Sequence, residues 1–229
     1  LTSTPKDQEL ALLLTTGEQQ TVSYLSMVLN DIGVNAKTMT GYQAGIKTVG
    51  HHLKSKIAEI NPNIFNKAFK NHDILVVAGF QGINEDFELT TLGRGGSDTT
   101  AVALAASNQT PCEIYTDVDG VYATDPRILN EAKRLEYVSY EEMMEMSALG
   151  AGVLETRSVE LAKNYDIPLY LGRTLSNVKG TWIMSKSDLL EKKAVTGVAL
   201  DTHMMHVTIS YPLPDNQLLT QLFTALEEE

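Results

Sequence analysis

The chain has 229 residues, 43% of them hydrophobic, enough for one full domain with a sizeable core and part of a second. Only 18 Lys and Arg face 29 Asp and Glu, and the net charge of -11 argues against nucleic acid and anionic membranes as partners. No apolar run approaches the ~20 residues of a membrane-spanning helix. No basic n-region marks a secretory signal, and the opening Leu1-Thr-Ser-Thr-Pro5 reads as a start partway into a longer protein.

In chain order, Leu10-Ala-Leu-Leu-Leu-Thr15 reads as a buried strand. Thr21 to Ile32 has helical spacing, with Val22, Leu25, Val28, Leu29 and Ile32 on one face and Gly33 as the stop. Ile74-Leu-Val-Val-Ala-Gly79 is an uninterrupted apolar strand, of the kind that suits a parallel sheet covered on both faces. Thr99 to Ser107 predicts an Ala-rich helix, and Cys112 to Thr116 a strand. Ser139 to Leu149 and Glu155 to Tyr165 read as helices, and Ile167 to Leu171 as a strand. Alternation of this kind predicts an α/β sandwich with a mainly parallel sheet.

Lys186 to Lys193 is charged and polar and reads as a linker. Beyond it, Ala194 to Ala199 and Met205 to Ser210 read as short strands, and Asn216 to Leu226 as a helix. One or two strands and a helix cannot close a domain, so a second domain is expected to be incomplete.

Cys112 is the only cysteine, which rules out an intrachain disulfide and fits a reducing, cytoplasmic setting. Its apolar surroundings predict a small core residue. The histidines, at positions 51, 52, 72, 203 and 206, show no metal-ligand spacing, so no protein-bound metal site is expected. The methionines of Glu141-Glu-Met-Met-Glu-Met146 read as helix core on one side and solvated face on the other.

The most informative stretch is Thr90-Thr-Leu-Gly-Arg-Gly-Gly-Ser-Asp-Thr-Thr100. Gly93, Gly95 and Gly96 let the backbone approach a ligand, and Ser97 or Asp98 can cap the helix that follows. The helix start is an anion site in waiting, and the Arg94 guanidinium matches a carboxylate bidentately. No Gly-Lys-Ser/Thr follows, so the loop is not of the Walker type. Tyr115-Thr-Asp-Val-Asp-Gly-Val-Tyr-Ala-Thr-Asp-Pro-Arg127 follows a strand, at an end where α/β sheets bind ligands. Its glycine spacing rules out a calcium loop. Tyr122 and Arg127 suit a base and a phosphate, but on spacing alone a structural turn serves equally well. Thr15-Thr-Gly-Glu18 reads as another strand followed by a turn, where Glu18 alone is most simply a helix-dipole partner.

Taken together these residues resemble the aspartate kinases of the amino acid kinase family. The matching segments are Thr16-Gly-Glu18, Gly41-Tyr-Gln-Ala-Gly45, Val77-Ala-Gly-Phe-Gln-Gly82, Thr91-Leu-Gly-Arg-Gly-Gly-Ser-Asp-Thr-Thr-Ala101, Tyr115 to Arg127 and Ser139-Tyr-Glu-Glu-Met143. The resemblance runs from about Leu10 to Met184 and implies a three-layer α/β sandwich. It divides the chain into a kinase domain at 1–185, a linker at 186–193 and the start of a regulatory ACT region, of α+β type, at 194–229. It implies that Glu18, Arg94, Gly95, Gly96 and Ser97 bind L-aspartate, with Arg94 on the α-carboxylate. Asp98 is implied to organise the transferring phosphoryl group. Thr116, Asp117, Tyr122 and Arg127 fall where the family binds ATP, with Mg²⁺ accompanying the nucleotide. A homo-oligomer, or pairing with a regulatory subunit, is implied as well.

Three departures stand out. The family's Lys-Phe-Gly-Gly phosphate loop is not in this sequence, so a chain limited to these residues is expected to be nearly inactive. Gly152 stands where many members carry a lysine, and Glu155-Thr156 replaces His-Pro. Gly172-Arg-Thr174 replaces a frequent Arg-Ser-Ser, and no role is carried over there. Two alternatives stay open: another kinase of the superfamily acting on glutamate, acetylglutamate, carbamate or UMP, and a non-catalytic amino-acid-binding regulatory subunit.

Overall fold

The computed structural model describes residues 2–185, 195–200, 220 and 223–224. It opens with helix α1 (Asp7–Asp31), where the sequence reading expected a strand at Leu10–Thr15. An apolar run fits either element, and length decides between them. Buried Ala11, Thr15 and Ser26 recur at helical spacing, while Leu12, Leu13 and Leu14 are exposed. Asp7 and Glu9 in the first turn suit the helix dipole. The predicted helix at Thr21–Ile32 is the second half of α1. It ends as expected at Gly33, whose φ of 87° lets the Val34 amide turn back to the Leu29 carbonyl at 2.9 Å.

There follow β1 (Ala36–Met39), β2 (Ile46–Val49), β3 (Lys56–Ile60), α2 (Pro62–Ala68), β4 (Ile74–Val77), β5 (Gln81–Ile83), β6 (Leu89–Thr91) and α3 (Gly96–Asn108). The second half holds β7 (Cys112–Thr116), β8 (Tyr137–Ser139), α4 (Tyr140–Met146), α5 (Thr156–Tyr165), β9 (Leu169–Arg173) and β10 (Thr181–Met184). The class is α/β with parallel-rich sheets, as expected. The strands hydrogen-bond in three groups rather than one: β1 with β4, β7-β9-β10-β8, and β3-β2-β5-β6. Pairs β1–β4, β7–β9 and β10–β8 are parallel, whereas the third group consists mainly of antiparallel pairs. β4 was expected to be buried on both faces. Instead Ile74 is exposed and Leu75, Val76 and Val77 are half-buried.

α4 is closed at its start by a capping box in which Ser139 and Glu142 bond reciprocally. It widens into a looser turn over Ser147–Ala151, where Gly150 takes a φ of 102°, so the regular α-helix ends earlier than the predicted Leu149. Met143 and Met146 are buried and Glu141 exposed, the two-sided helix expected there.

The larger core lies between α3, α4, α5 and the β7-β9-β10-β8 sheet, around Val102, Met143, Val159, Leu169, Leu171 and Ile183. A smaller one gathers Met39, Ala44, Ile46 and Phe65. Cys112 belongs to the larger core, and burial pushes its thiol up to about 11, which leaves it unreactive at neutral pH. Leu171 is fully buried at the centre of β9. Leu171→Ala should therefore cost about 2–5 kcal/mol. That is a fall of roughly 4–20 °C in Tm by circular dichroism, and a shift under about 2 °C would contradict this packing.

The linker at 186–193 and the strand expected at Met205–Ser210 lie outside the described residues. Of the helix expected over Asn216–Leu226, only Thr220, Phe223 and Thr224 are described, and they are helical. The strand expected at Ala194–Ala199 is not formed over the described part, Val195–Leu200. That segment is pinned instead to the loop after β7 and to α4: the Val198 amide donates to the Ala123 carbonyl (2.7 Å) and Thr196 Oγ1 to Glu142 Oε1 (2.8 Å).

Candidate active site

β6 runs directly into the glycine turn that opens α3. Gly93 and Gly95 have φ of 77° and 62°, left-handed values that side-chain-bearing residues resist. α3 begins at Gly96, three residues before the predicted Thr99, because the left-handed Gly95 is its N-cap. No side chain caps the helix, contrary to the expectation for Ser97 or Asp98. The Gly96 amide donates to the Gly93 carbonyl (3.1 Å) and the Thr99 amide to the Gly95 carbonyl (3.0 Å), so among the described residues the amides of Ser97 and Asp98 are the ones left for a ligand. Gly96 is required for a different reason from Gly93 and Gly95: a Cβ there would lie 2.7 Å from Phe80 Cδ2 and 3.0 Å from Leu92 Cβ.

The loop after β4 closes on this turn. A Cβ on Gly79 would lie 3.2 Å from Ser97 Cα. Phe80 takes a left-handed φ of 67°, and its amide donates to Thr100 Oγ1 at 3.0 Å. Arg157 fastens the turn from another side, donating to the carbonyls of Leu92 (3.0 Å) and Ser55 (3.1 Å). On this fixed frame Arg94 and Ser97 are exposed, and Arg94 has no hydrogen bond or ion pair among the described residues. Asp98 is half-buried. Burial, and then the Glu155 charge, push its carboxyl above the usual range.

Glu18 lies inside α1, not in the turn after a strand that its neighbours suggested. It shares a helix face with Thr15 and Gln19. Both of these bond to Gln81, the residue after Phe80: Gln81 Nε2 donates to the Thr15 carbonyl (3.2 Å) and Gln19 Nε2 to Gln81 Oε1 (3.2 Å). The half-buried Glu18 is thus on the side of α1 that meets the glycine turn's supporting loop.

The other predicted residues lie at the carboxyl end of β7, which pairs in parallel with β9, and along the loop that follows it. Thr116 ends β7; its carbonyl accepts from the Thr174 amide (2.8 Å) and its hydroxyl donates to Asp117 Oδ1 (3.0 Å). Tyr122 is half-buried, with its hydroxyl 3.4 Å from Asp119 Oδ2. Arg127 is exposed but not free. It forks onto Asp125 with Nη2 to Oδ2 at 2.9 Å and Nε to Oδ1 at 3.1 Å, which holds the Asp125 carboxyl below its usual range. Gly120 presses against Thr181, whose hydroxyl accepts from the Val121 amide (2.9 Å) and donates to the Leu135 carbonyl (2.6 Å).

The structure therefore keeps Arg94, Gly95, Gly96, Ser97 and Asp98 on one turn, and Thr116, Asp117, Tyr122 and Arg127 on β7 and the loop after it, with Arg127 bonded to Asp125 and not to the other three. No side-chain hydrogen bond or ion pair joins the two groups among the described residues. Sequence reasoning missed Glu155 and Arg157 as partners of the glycine turn; the replacement of His-Pro by Glu155-Thr156 was the signal for the first. A cavity of about 950 Å³ lies elsewhere, between the β2–β3 hairpin and α2, and none of the predicted residues lines it.

Among the described residues, no helix is long and apolar enough to cross a membrane. The model of the amino acid kinase family matches residues 2–173. Aspartokinase 2 of Bacillus subtilis is 46% identical over 223 residues, which are 97% of this chain and 55% of that relative. The chain thus spans about half the length of the curated relatives it matches. Two solved structures share the frame. E. coli aspartokinase III in complex with aspartate and ADP has a TM-score of 0.75 at 27% identity, over 81% of this chain and 43% of that one. Aspartate kinase from Synechocystis has a TM-score of 0.68 at 41% identity, over 80% and 30%. With a family match over residues 2–173, and a relative 46% identical over 97% of this chain, the chain belongs to the amino acid kinase family.

Proposed function

We propose that this chain is the catalytic part of an aspartate kinase, which moves the γ-phosphoryl group of ATP onto the β-carboxylate of L-aspartate. The observation that carries the reading is Arg94, an exposed guanidinium with no partner among the described residues, set between left-handed glycines at the uncapped start of α3. The resemblance to a structure solved with aspartate and ADP supports it. In this reading residues 1–185 form the kinase domain, 186–193 link it onward, and 194–229 begin a regulatory ACT region.

Arg94 grips the acceptor's α-carboxylate, and Glu18, Gly95, Gly96 and Ser97 complete the acceptor pocket. Thr116, Asp117, Tyr122 and Arg127 hold ATP. Arg127 must exchange Asp125 for phosphate as the nucleotide binds. The β-carboxylate is already ionised at neutral pH, so no general base is needed. One of its oxygens attacks the γ-phosphorus in line. A new O–P bond forms, the bond to the β,γ-bridging oxygen breaks, and ADP departs with that electron pair. The products are 4-phospho-L-aspartate and ADP. Alignment and charge stabilisation supply the catalysis.

Among the described residues no group of three or more His, Cys, Asp or Glu could cage a metal. Mg²⁺ usually needs only one or two carboxylates beside the substrate phosphates, and Asp98 fits that requirement. When bound, the ion neutralises charge on the β- and γ-phosphates. The family's lysine loop, outside these residues, is expected to be needed for turnover. The test is a coupled assay on the full-length enzyme that contains this chain, with aspartate, glutamate, carbamate and UMP as acceptors. Turnover confined to aspartate is the expected result; turnover of another acceptor, with aspartate inert, would overturn the assignment.

A further inference from the structure

We infer that Arg157 is a positioning residue of the acceptor site: from the first turn of α5 it fixes the backbone just before the glycine turn, and so sets the place of Arg94 without itself touching the substrate. The inference rests on the aspartate reading above and deepens it.

Arg157 is the second residue of α5 and is half-buried. Its guanidinium reaches back 65 and 102 residues along the chain and takes two carbonyls at once, with Nη1 on Leu92 (3.0 Å) and Nη2 on Ser55 (3.1 Å). Among the described residues it has no ion pair with a carboxylate, so its bonding goes to the main chain. Both acceptors sit in backbone that is held on its other side too. The Leu92 amide donates to the Phe80 carbonyl (2.9 Å), so both polar groups of this buried residue are engaged. Ser55 is fully buried, and its amide and hydroxyl both donate to the Thr91 carbonyl, each at 2.9 Å.

Arg94 stands two residues beyond Leu92. On its far side, the Thr99 amide and hydroxyl both donate to the Gly95 carbonyl, each at 3.0 Å. Gly93, Arg94 and Gly95 are thus bracketed between two fixed points. Two left-handed glycines give this turn a freedom of rotation that the bracket removes. A guanidinium suits the task because its donors lie in one plane and set direction as well as distance. Without the fork the Leu92 carbonyl loses this partner, and the turn is free to swing Arg94 out of line. A misplacement of about 1 Å in a group that orients a reactant costs on the order of 10²-fold in rate.

The experiment is calorimetric titration of the full-length enzyme that contains this chain, with L-aspartate and with ADP, beside thermal melting. R157Q should weaken aspartate about 10- to 100-fold. Its ADP affinity should stay within about twofold of wild type, because the proposed nucleotide residues lie on β7 and the loop after it. R157K keeps the charge but not the fork, and should recover part of the aspartate affinity. Equal losses for both ligands, or a lower melting temperature with aspartate affinity unchanged, would show a role in stability alone and overturn the inference. Should R157Q fail to fold, R157K decides: a loss confined to aspartate supports the inference, and wild-type affinity overturns it. Wild-type protein that binds no aspartate removes the aspartate reading itself; binding that is indifferent to both substitutions removes only this inference.

Discussion

Replacing Arg94 with alanine is expected to raise the aspartate KM of the full-length enzyme about 10- to 150-fold. One hydrogen-bonded charge pair contributes roughly 1.5–3 kcal/mol, and each 1.4 kcal/mol is tenfold in affinity. The structure makes the experiment clean. Arg94 is exposed and bonded to nothing among the described residues, so its removal should leave the melting temperature unchanged. Lysine should restore only part of the affinity, because a point charge does not reproduce the bidentate fork. Steady-state kinetics across an aspartate series decides the matter. A KM unchanged in Arg94→Ala would take the guanidinium out of the acceptor site.

Asp98→Asn should lower kcat by about 10²- to 10³-fold, the usual loss when one preorganised electrostatic group is removed from a transfer site. Stability should move the other way. Burial and the Glu155 charge make the ionised form of Asp98 unfavourable in the folded state. A carboxyl so shifted holds its proton more tightly when folded, so it penalises folding as pH rises through its unfolded and then its folded titration range. The groups facing it are Glu155 from α5 and Cys112 from β7, and neither offers a positive charge. Asp98→Asn should therefore melt higher than wild type near pH 8, with the gain vanishing near pH 3, below the ordinary aspartate range of about 3.9. A kcat within about threefold of wild type, by coupled assay, would mean that Asp98 does not serve the transfer.

How far the sequence could be read depended on how local the determining physics was. β7 is legible to the residue, because an apolar run after Pro111 has few other options. The glycine turn was legible because left-handed backbone and close approach are properties of glycine itself. α3's first turn was misjudged because the cap is a backbone conformation at Gly95, not a side-chain bond. Leu10–Thr15 was misjudged because five successive apolar residues satisfy both periods, and only packing along the 25 residues of α1 breaks the tie. The helical placement of Glu18 went wrong with it. Glu155 could not be placed at all without the tertiary fold. It reaches Gly95 from far along the chain, through a contact that Arg157 fixes by gripping carbonyls. The pairing of Arg127 with Asp125, two residues away, was not read from the sequence, because spacing alone does not say which carboxylate takes the fork.

Because Arg157 holds α5 to main-chain oxygens of Ser55 and Leu92, that anchorage does not use the side chain at position 155. The frame beneath the glycine turn is therefore expected to outlast changes at position 155, and a library confined to that position should yield proteins that melt close to the wild type.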